Sequence, residues 1–159
     1  MLTDLFMANN QINVVLDDGA FMPTRAHSED AGLDLYAREG AIVPAGGSKV
    51  FDTGVCIELP EIKADCCGVP VVLRTAGFLK SKSGLNINHD IISDGVIDVG
   101  YSGSIAVKLY NLGQKDYEVK RGDKISQLCI EIVLTPTPRQ VDKLQEGERG
   151  TGGFGSTGR

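Results

Sequence analysis

Short apolar runs rich in β-branched residues recur along the chain, with partial alternation between apolar and polar positions. The runs cover residues 12–16, 49–59, 69–73, 104–112 and 124–134. Clusters of Gly, Pro, Asn and Asp separate them and mark turns. No long segment has apolar residues at helical spacing, and the best helix candidate is a short turn after Ser83. The pattern predicts an all-β jelly roll, barrel or sandwich, because strands that alternate with helices are missing.

The length of 159 residues predicts one domain with one core. We assign 1–134 to a single β-barrel domain and 135–159 to an extended C-terminal arm. Pro136 and Pro138 open the arm, and prolines do not pair inside a sheet. An arm that leaves its own domain often docks on another copy of the chain, so we expect a swapped oligomer.

Composition and charge narrow the class of ligand. The chain is 42% hydrophobic and 23% charged, as a soluble globular protein is, and we expect no membrane association. Its net charge of −5 argues against stable nucleic-acid binding, which needs a basic surface. The first residues have no signal-peptide pattern, which predicts a cytoplasmic protein. An anionic ligand would therefore be small and held by a few cations or a metal ion.

Four cysteines, at positions 56, 66, 67 and 129, have neither Cys-x-x-Cys spacing nor a histidine cluster nearby. This spacing does not predict a zinc site. We expect all four to be reduced thiols, mostly buried.

Two early segments carry polar groups inside apolar surroundings. In AGLDLYA, 31–37, Asp34 stands between two leucines, and alternation places it on the opposite face from both. Taken alone, it is best interpreted as a solvent-facing strand residue. In FLKSKSGL, 78–85, a lysine and two serines follow a strand and open a turn or short helix. Backbone N–H groups at such a point attract phosphate, although exposed lysines are common in turns.

The segment DGVIDVGYSGS, 94–104, is the most informative. Asp98 ends an apolar strand and enters a glycine-flanked turn, and Tyr101 follows three residues later. A fixed carboxylate can take a proton from water, and a tyrosine can support a sugar. The alternative is an ordinary hairpin in which Asp and Gly only form the turn.

Two later segments leave similar choices open. In RGDKISQL, 121–128, Gln127 either satisfies its hydrogen bonds within the protein or presents an amide to a ligand. The tail RGTGGFGSTGR, 149–159, matches Gly-x-Gly-x-x-Gly, but too few residues follow it to build a dinucleotide-binding helix. Its composition suits an anion that carries a flat ring, and the alternative is a frayed terminus.

These five segments, in this order, resemble the five motifs of the trimeric dUTP pyrophosphatases, the dUTPases. The matching stretches are AGLDLYA, SKSGL, GVIDVGY, RGDKISQL and RGTGGFGSTG, within residues 31–158. The resemblance implies a jelly-roll-like, distorted β-barrel subunit of a homotrimer whose C-terminal arm crosses to a neighbour. It also implies Mg²⁺-assisted hydrolysis of dUTP to dUMP and pyrophosphate, which limits uracil in DNA and supplies dUMP for dTMP synthesis.

The resemblance assigns roles to individual residues. Asp98 would be the general base for water attacking the α-phosphorus, and Tyr101 would pack against the deoxyribose. Asp34 would act on the waters of a Mg²⁺ ion held mainly by the triphosphate. Backbone groups of the hairpin before Asp98 would read uracil. The other residues implied are Ser83 and Gln127 in catalysis, and Lys82, Gly84, Gly95, Ile97, Arg149, Phe154, Gly155, Ser156 and Thr157 in substrate binding.

Three departures from the family pattern stand out. Ser81 and Lys82 replace the usual Pro-Arg of the second motif, and lysine lacks the bidentate fork of arginine. Gly100 stands where many relatives have Asp. The segment 61–78 is longer than usual, and we interpret it as an extended hairpin. Two alternatives stay open on the same fold: a dCTP deaminase, and a nucleotide-binding regulatory protein without turnover.

Overall fold

The computed structural model describes residues 11–145, 147 and 150. Strands dominate this part of the chain, which confirms the all-β prediction. One short helix, α1, spans Ser83–His89. The strands are β1 Asn13–Leu16, β2 Gly32–Tyr36, β3 Ala41–Val43, β4 Ser48–Asp52, β5 Val55–Glu58, β6 Ile62–Cys66, β7 Val69–Lys80, β8 Ile91–Ile97, β9 Ala106–Asn111, β10 Tyr117–Val119 and β11 Lys124–Val133.

The strands form one large curled sheet and two small ones. The large sheet has the order β2-β11-β7-β8-β9-β4, with β6 paired to β7. The small sheets join β1 to β5 and β3 to β10. All of these pairings are antiparallel. The arrangement is the jelly-roll-like, distorted barrel that the resemblance implied.

A single core fills the interior of the curled sheets. Its side chains come from strands far apart in sequence, and Leu35, Val107, Leu109 and Leu128 are fully buried. Burial of side chains of this size contributes about 1.5–3 kcal/mol each to folding. The core therefore holds β2, β9 and β11 in one unit.

The predicted run 49–59 forms two strands, because the chain bends between β4 and β5. Gly54 adopts a positive φ of 67°, which favours glycine. The hydroxyl of Thr53 donates to the Ile105 carbonyl at 2.7 Å and fixes the bend against the chain leading into β9.

The segment 61–78 contains the β6–β7 hairpin, as predicted. Cys67 and Gly68, both with positive φ, form its two-residue turn. The prediction that the cysteines are mostly buried is wrong for the three whose side chains the structure describes. Cys67 is exposed, and Cys56 and Cys129 are only half-buried, because a turn and half-covered strands place them near the surface.

The arm begins where β11 ends at Val133, and residues 134–145 are described without helix or strand. The division at residue 134 stays a prediction. Within the described residues, no helix has the length and apolar character needed to cross a membrane.

Candidate active site

Asp34, on β2, joins two lysines that are distant in sequence. Its Oδ1 lies 2.5 Å from Lys82 Nζ, and its Oδ2 lies 2.7 Å from Lys124 Nζ. Lys82 precedes α1, and Lys124 opens β11 opposite Tyr36, so Lys124 is a diagonal neighbour of Asp34 on the same face. The first, second and fourth motifs therefore meet at one carboxylate.

The solvent-facing interpretation of Asp34 is wrong, because its residue is only 4% exposed. The chain before β2 pairs with the backbone of Asp34 through Thr24, and two lysines lie against its carboxylate. Burial raises the pKa of Asp34, but the hydrogen bonds and charges of Lys124 and Lys82 outweigh it and hold the pKa below its ordinary value. The carboxylate is therefore ionised at neutral pH.

Three serines connect the second and fourth motifs with the strand that leads into the third, through buried and partly buried hydrogen bonds. Ser81 Oγ donates to the Ser93 carbonyl at 3.0 Å and accepts from the Ser93 N–H at 2.9 Å. Ser93 and Ser126 share a hydroxyl–hydroxyl bond of 2.9 Å, and Ser126 donates to the Lys80 carbonyl at 3.1 Å. This network fixes the backbone that leads into Lys82 and Ser83.

Ser83 and Gly84 begin α1 and are exposed. Lys82 caps the helix in an extended conformation, with no side-chain hydrogen bond to the first turn. A Cβ at Gly84 would meet nothing within 4 Å. The first-turn N–H groups are thus open to a ligand, since helix N-termini leave such donors unsatisfied.

Gln127 lies on β11, between β2 and β7 of the large sheet. Its backbone is opposite Asp34 on β2 and Lys80 on β7. The side chain is half-buried. The register therefore places Gln127 next to Asp34, which with Lys82 and Lys124 forms the Asp34 cluster.

Asp98 follows β8 and is exposed. Its carbonyl accepts a hydrogen bond from the Tyr101 N–H at 3.1 Å, and Gly100 has a φ of 89°. This is the arrangement of a turn that needs glycine at its third position. Gly100, which departs from the usual Asp, therefore fits the local backbone.

Tyr101 is 50% exposed. Its ring borders a depression of about 390 Å³ whose other walls come from β1 and β5. The Tyr101 hydroxyl donates to the Ser104 carbonyl at 3.0 Å. Part of the ring is therefore accessible to a ligand while its polar end is held by the chain.

Strands β8 and β9 separate after Ser93. Their pairing covers Ile91, Ile92 and Ser93. Beyond that point, β8 from 94 to 97 pairs with β7 and, within the described residues, with no other strand. One backbone edge of this segment is therefore available to a ligand, and it includes the predicted residues Gly95 and Ile97.

Gly95 allows Leu79 to pack closely against the inner side of this segment. A Cβ at this position would lie 3.0 Å from Leu79 Cδ1, which is tighter than ordinary contact. Ile97 is buried in the core and anchors the end of the strand.

The structure does not bring all the predicted residues together in one subunit. Gly77 of β7 pairs with Ile97, just before Asp98, and Lys80 pairs with Asp94, at the end that leads to Ser83. Three residue steps along a strand span about 10 Å. Asp98 and Ser83 therefore lie beyond opposite ends of a ladder that is much longer than a hydrogen bond.

Residues Arg149, Phe154, Gly155, Ser156 and Thr157 of the predicted site lie outside the described part of the chain. Among the described residues, no group of three or more His, Cys, Asp or Glu side chains is arranged to hold a metal ion. Asp34 contacts one lysine nitrogen through each of its two oxygens. A carboxylate can accept further hydrogen bonds beyond these two.

Sequence reasoning missed several participants. Lys124 belongs to the fourth motif, yet only the fold brings it to Asp34. Ser93 and Ser126 stand among apolar strand residues, and this was an available signal for a buried polar network.

Comparisons with known proteins show the family to which the chain belongs. A family model described as dUTPase matches residues 18–158. A deoxyuridine 5'-triphosphate nucleotidohydrolase of Clostridium acetobutylicum is 39% identical over 155 residues, covering 96% of this chain and 98% of the relative. One from Arabidopsis thaliana is 40% identical, covering 90% of this chain and 80% of the relative.

Solved structures of dUTPases share the fold. The structure of the Staphylococcus bacteriophage 80alpha dUTPase with dUPNHPP superposes on this chain with a TM-score of 0.81 at 27% identity. The match covers 95% of this chain and 100% of the phage chain. A variant dUTPase from phage phi11 of S. aureus, described with a structural Mg(II) ion, has a TM-score of 0.72 at 25% identity, covering 86% of this chain and 100% of that one. The chain belongs to the dUTPase family.

Proposed function

We propose that this chain hydrolyses dUTP to dUMP and pyrophosphate by attack of water on the α-phosphorus. The observation that carries the proposal is the open backbone edge of β8, which leads directly into Asp98. Relatives of similar length are named deoxyuridine 5'-triphosphate nucleotidohydrolases. Neither the deaminase nor the regulatory alternative is favoured by these similarities.

The edge of β8 from 94 to 97 is suited to reading uracil. A strand edge offers N–H donors and carbonyl acceptors in fixed alternation. Cytosine has the reversed donor and acceptor pattern at its pairing edge, so it would leave backbone donors and acceptors of this strand edge unpaired. This gives a physical basis for preferring uracil.

Asp98 acts as the general base in this proposal. Asp98 follows the strand edge that we propose reads uracil, and its exposure leaves the carboxylate accessible to water. Tyr101, three residues later, packs against the deoxyribose and leaves no room for a 2'-hydroxyl. The turn thus joins proton abstraction to sugar selection.

The phosphate chain binds at the other motifs. Ser83 and the open N–H groups around Gly84 donate to phosphate oxygens, with Lys82 as a point charge and Gln127 in support. Donors and cations fixed before the reaction stabilise the charge that develops in phosphoryl transfer. The serine network makes this end rigid.

Mg²⁺ fits the donor set as an ion carried mainly by the triphosphate. Mg²⁺ keeps several waters and prefers oxygen ligands, and Asp34 supplies one buried, ionised carboxylate to accept hydrogen bonds from such waters. When bound, the ion would neutralise phosphate charge during hydrolysis. Lys82 and Lys124 hold the carboxylate in place for that role.

The tail supplies the closing element. Phe154 stacks on the base, Arg149 contacts the terminal phosphate, and Gly155, Ser156 and Thr157 add backbone and hydroxyl donors. A segment that closes over a bound nucleotide excludes bulk water from the reaction.

We infer a homotrimer from the resemblance to the trimeric dUTPases, and the positions of Asp98 and Ser83 at opposite ends of the β7–β8 ladder support an assembly of several copies. If both act on one nucleotide, they come from different copies of the chain. The outer face of the large sheet offers an apolar contact for these copies, because Phe78 lies opposite Cys129 on one side and Val96 on the other. Val96 is 61% exposed in the single chain.

We place the enzyme in the cytoplasm, or in the host cytoplasm if the protein is viral. It acts on free nucleotide, and its net charge of −5 does not favour nucleic acid as a partner. In this setting it limits the uracil available to DNA synthesis and supplies dUMP.

The test is pyrophosphate release with Mg²⁺ from dUTP, dCTP, dTTP and UTP in parallel, with ammonia measured in the dCTP reaction. We expect release from dUTP alone. Ammonia from dCTP would instead support the deaminase alternative, and tight dUTP binding without product would support the regulatory one.

A further inference from the structure

A hydrogen-bonded chain connects Tyr101 to a carboxylate on another strand. The Tyr101 hydroxyl donates to the Ser104 carbonyl at 3.0 Å. The Ser104 hydroxyl in turn donates to Asp52 Oδ1 in a short hydrogen bond. Asp52 closes β4, so the turn that carries Tyr101 is tied to a strand outside all five motifs.

Asp52 is itself fixed from several directions. Its Oδ1 also accepts the Gly54 N–H at 3.1 Å, and its Oδ2 lies 3.5 Å from an Arg38 nitrogen. The Ser104 hydrogen bond, followed by that of Gly54, lowers the pKa of Asp52. The bond to Ser104 is therefore charge-assisted at neutral pH, and such bonds are stronger than neutral ones.

The chain around Ser104 transmits this position to the tyrosine. The next residue, Ile105, is buried, and its N–H donates to the Val55 carbonyl at 2.8 Å. A Cβ at Gly103 would lie 2.6 Å from the Tyr101 hydroxyl oxygen, so the ring lies directly against the backbone. Ser104 is thus held through its side chain on one side and aims its carbonyl at the phenol on the other.

We propose that Asp52 and Ser104 are positioning residues that set the Tyr101 ring and thereby the discrimination between dUTP and UTP. The inference rests on the proposed function, in which this ring packs against the deoxyribose. A ring that shifts away from the sugar leaves room for a 2'-hydroxyl, so UTP gains relative to dUTP. Neither residue contacts the reacting atoms.

The test compares Ser104→Ala and Asp52→Asn in the full chain, with Asp17→Asn as the matched control. Asp17 also pairs with Arg38, at 3.7 Å, but has no described contact with Ser104. We measure kcat and KM for dUTP and UTP and the melting temperature of each variant. Ser104→Ala should lower the ratio of kcat/KM for dUTP to that for UTP by about threefold to tenfold, as partial loss of a positioning hydrogen bond does.

Asp52→Asn should change the ratio in the same direction and by no more than Ser104→Ala, because the amide keeps the shape but not the charge. Asp17→Asn should leave it unchanged. In a Tyr101→Phe background, Ser104→Ala should have no further effect on the ratio, since the hydroxyl that it positions is gone. A merely structural role would lower kcat/KM equally for both nucleotides.

A second measurement does not depend on turnover. Tyrosine-labelled NMR spectra report the four tyrosine rings, and Tyr101→Phe identifies the signal of Tyr101. Ser104→Ala should shift that signal and leave the other three in place. An unchanged signal, an unchanged ratio, or an equal effect of Asp17→Asn would overturn the inference. If the wild type does not turn over dUTP, the proposed function fails separately, and the NMR result alone decides whether Ser104 positions the ring.

Discussion

The two ends of the β7–β8 ladder differ in how much of their geometry one subunit determines. At the end near Ser83, Asp34 is buried between two lysines and three serines fix the backbone. At the other end, Asp98 is exposed on a turn. Charge is thus preorganised at the end to which the proposed function assigns the phosphates, whereas the proposed general base is accessible to solvent in the single chain.

Asp98→Asn tests the exposed end and should have the largest effect. We expect turnover of dUTP to fall by about 100-fold to 10,000-fold, which is the range for loss of a general base. Binding of dUTP should persist, because the amide keeps the shape of the side chain. Steady-state kinetics and calorimetric binding measure the two effects, and undiminished turnover would exclude Asp98 as the base.

Removal of residues 149–159 tests whether the two ends of the β7–β8 ladder support turnover without the tail. We expect turnover to fall by about 100-fold, as loss of substrate positioning does, with the melting temperature unchanged because the buried core residues described by the structure lie between Leu35 and Leu128. Phe154→Ala is the matched point variant and should weaken dUTP binding. Full activity of the truncated chain would show that the tail is a frayed terminus.

Asp34→Asn tests the preorganised end through stability. Its loss leaves two lysines without their carboxylate, but their side chains are 22% and 42% exposed and can reach water. We therefore expect a loss of about 1–2 kcal/mol in the free energy of unfolding, less than for a fully buried pair. Urea unfolding measures it, with Asp98→Asn as the exposed control. Equal stabilities of the two variants would remove the distinction between the ends.

The difference in the free energy of unfolding between wild type and Asp34→Asn depends on pH with a definite sign. The folded pKa of Asp34 lies below its ordinary value of 3.8, so its contribution is complete above pH 3.8 and is lost as the pH falls through the folded pKa. Lys124 has a pKa raised above 10.5 by Asp34, so its contribution is lost only as the pH rises through that higher folded value. Urea unfolding of wild type and Asp34→Asn across this range should give a constant difference between the two limits. A difference that vanishes near neutral pH would contradict the assignment.

Gly84→Ala, at the Ser83 end, should have the smallest effect on stability. It distinguishes a contribution to folding from a contribution to substrate binding. Alanine meets open space there and favours the helix, so we expect a gain of about 0.5 kcal/mol. The KM for dUTP should rise if the phosphate chain approaches this backbone. Asn86→Ala, an exposed position on the same helix, should leave KM unchanged. An unchanged KM in Gly84→Ala would place the phosphates elsewhere.

Local features of the fold could be predicted from the sequence, because they depend on neighbouring residues. The strand runs, the helix after Ser83 and the turn at Asp98 all follow from periodicity and turn chemistry. Alternation failed at Asp34, because its carboxylate is held by lysines that are 48 and 90 residues away in sequence. The pairing of strands that are far apart in sequence cannot be predicted from a local pattern. The hydrogen bonds that connect Asp52 to Tyr101 through Ser104 could not be predicted for the same reason.

The separation of β8 from β9 has a consequence for the energetics of the fold. A strand edge without a partner strand is satisfied by water, so the empty protein leaves part of its sheet hydrogen bonding to solvent. A base seated there would take the place of the missing strand, and the nucleotide would stabilise the folded chain in proportion to the logarithm of its concentration. Substrate binding and folding are therefore linked in this protein.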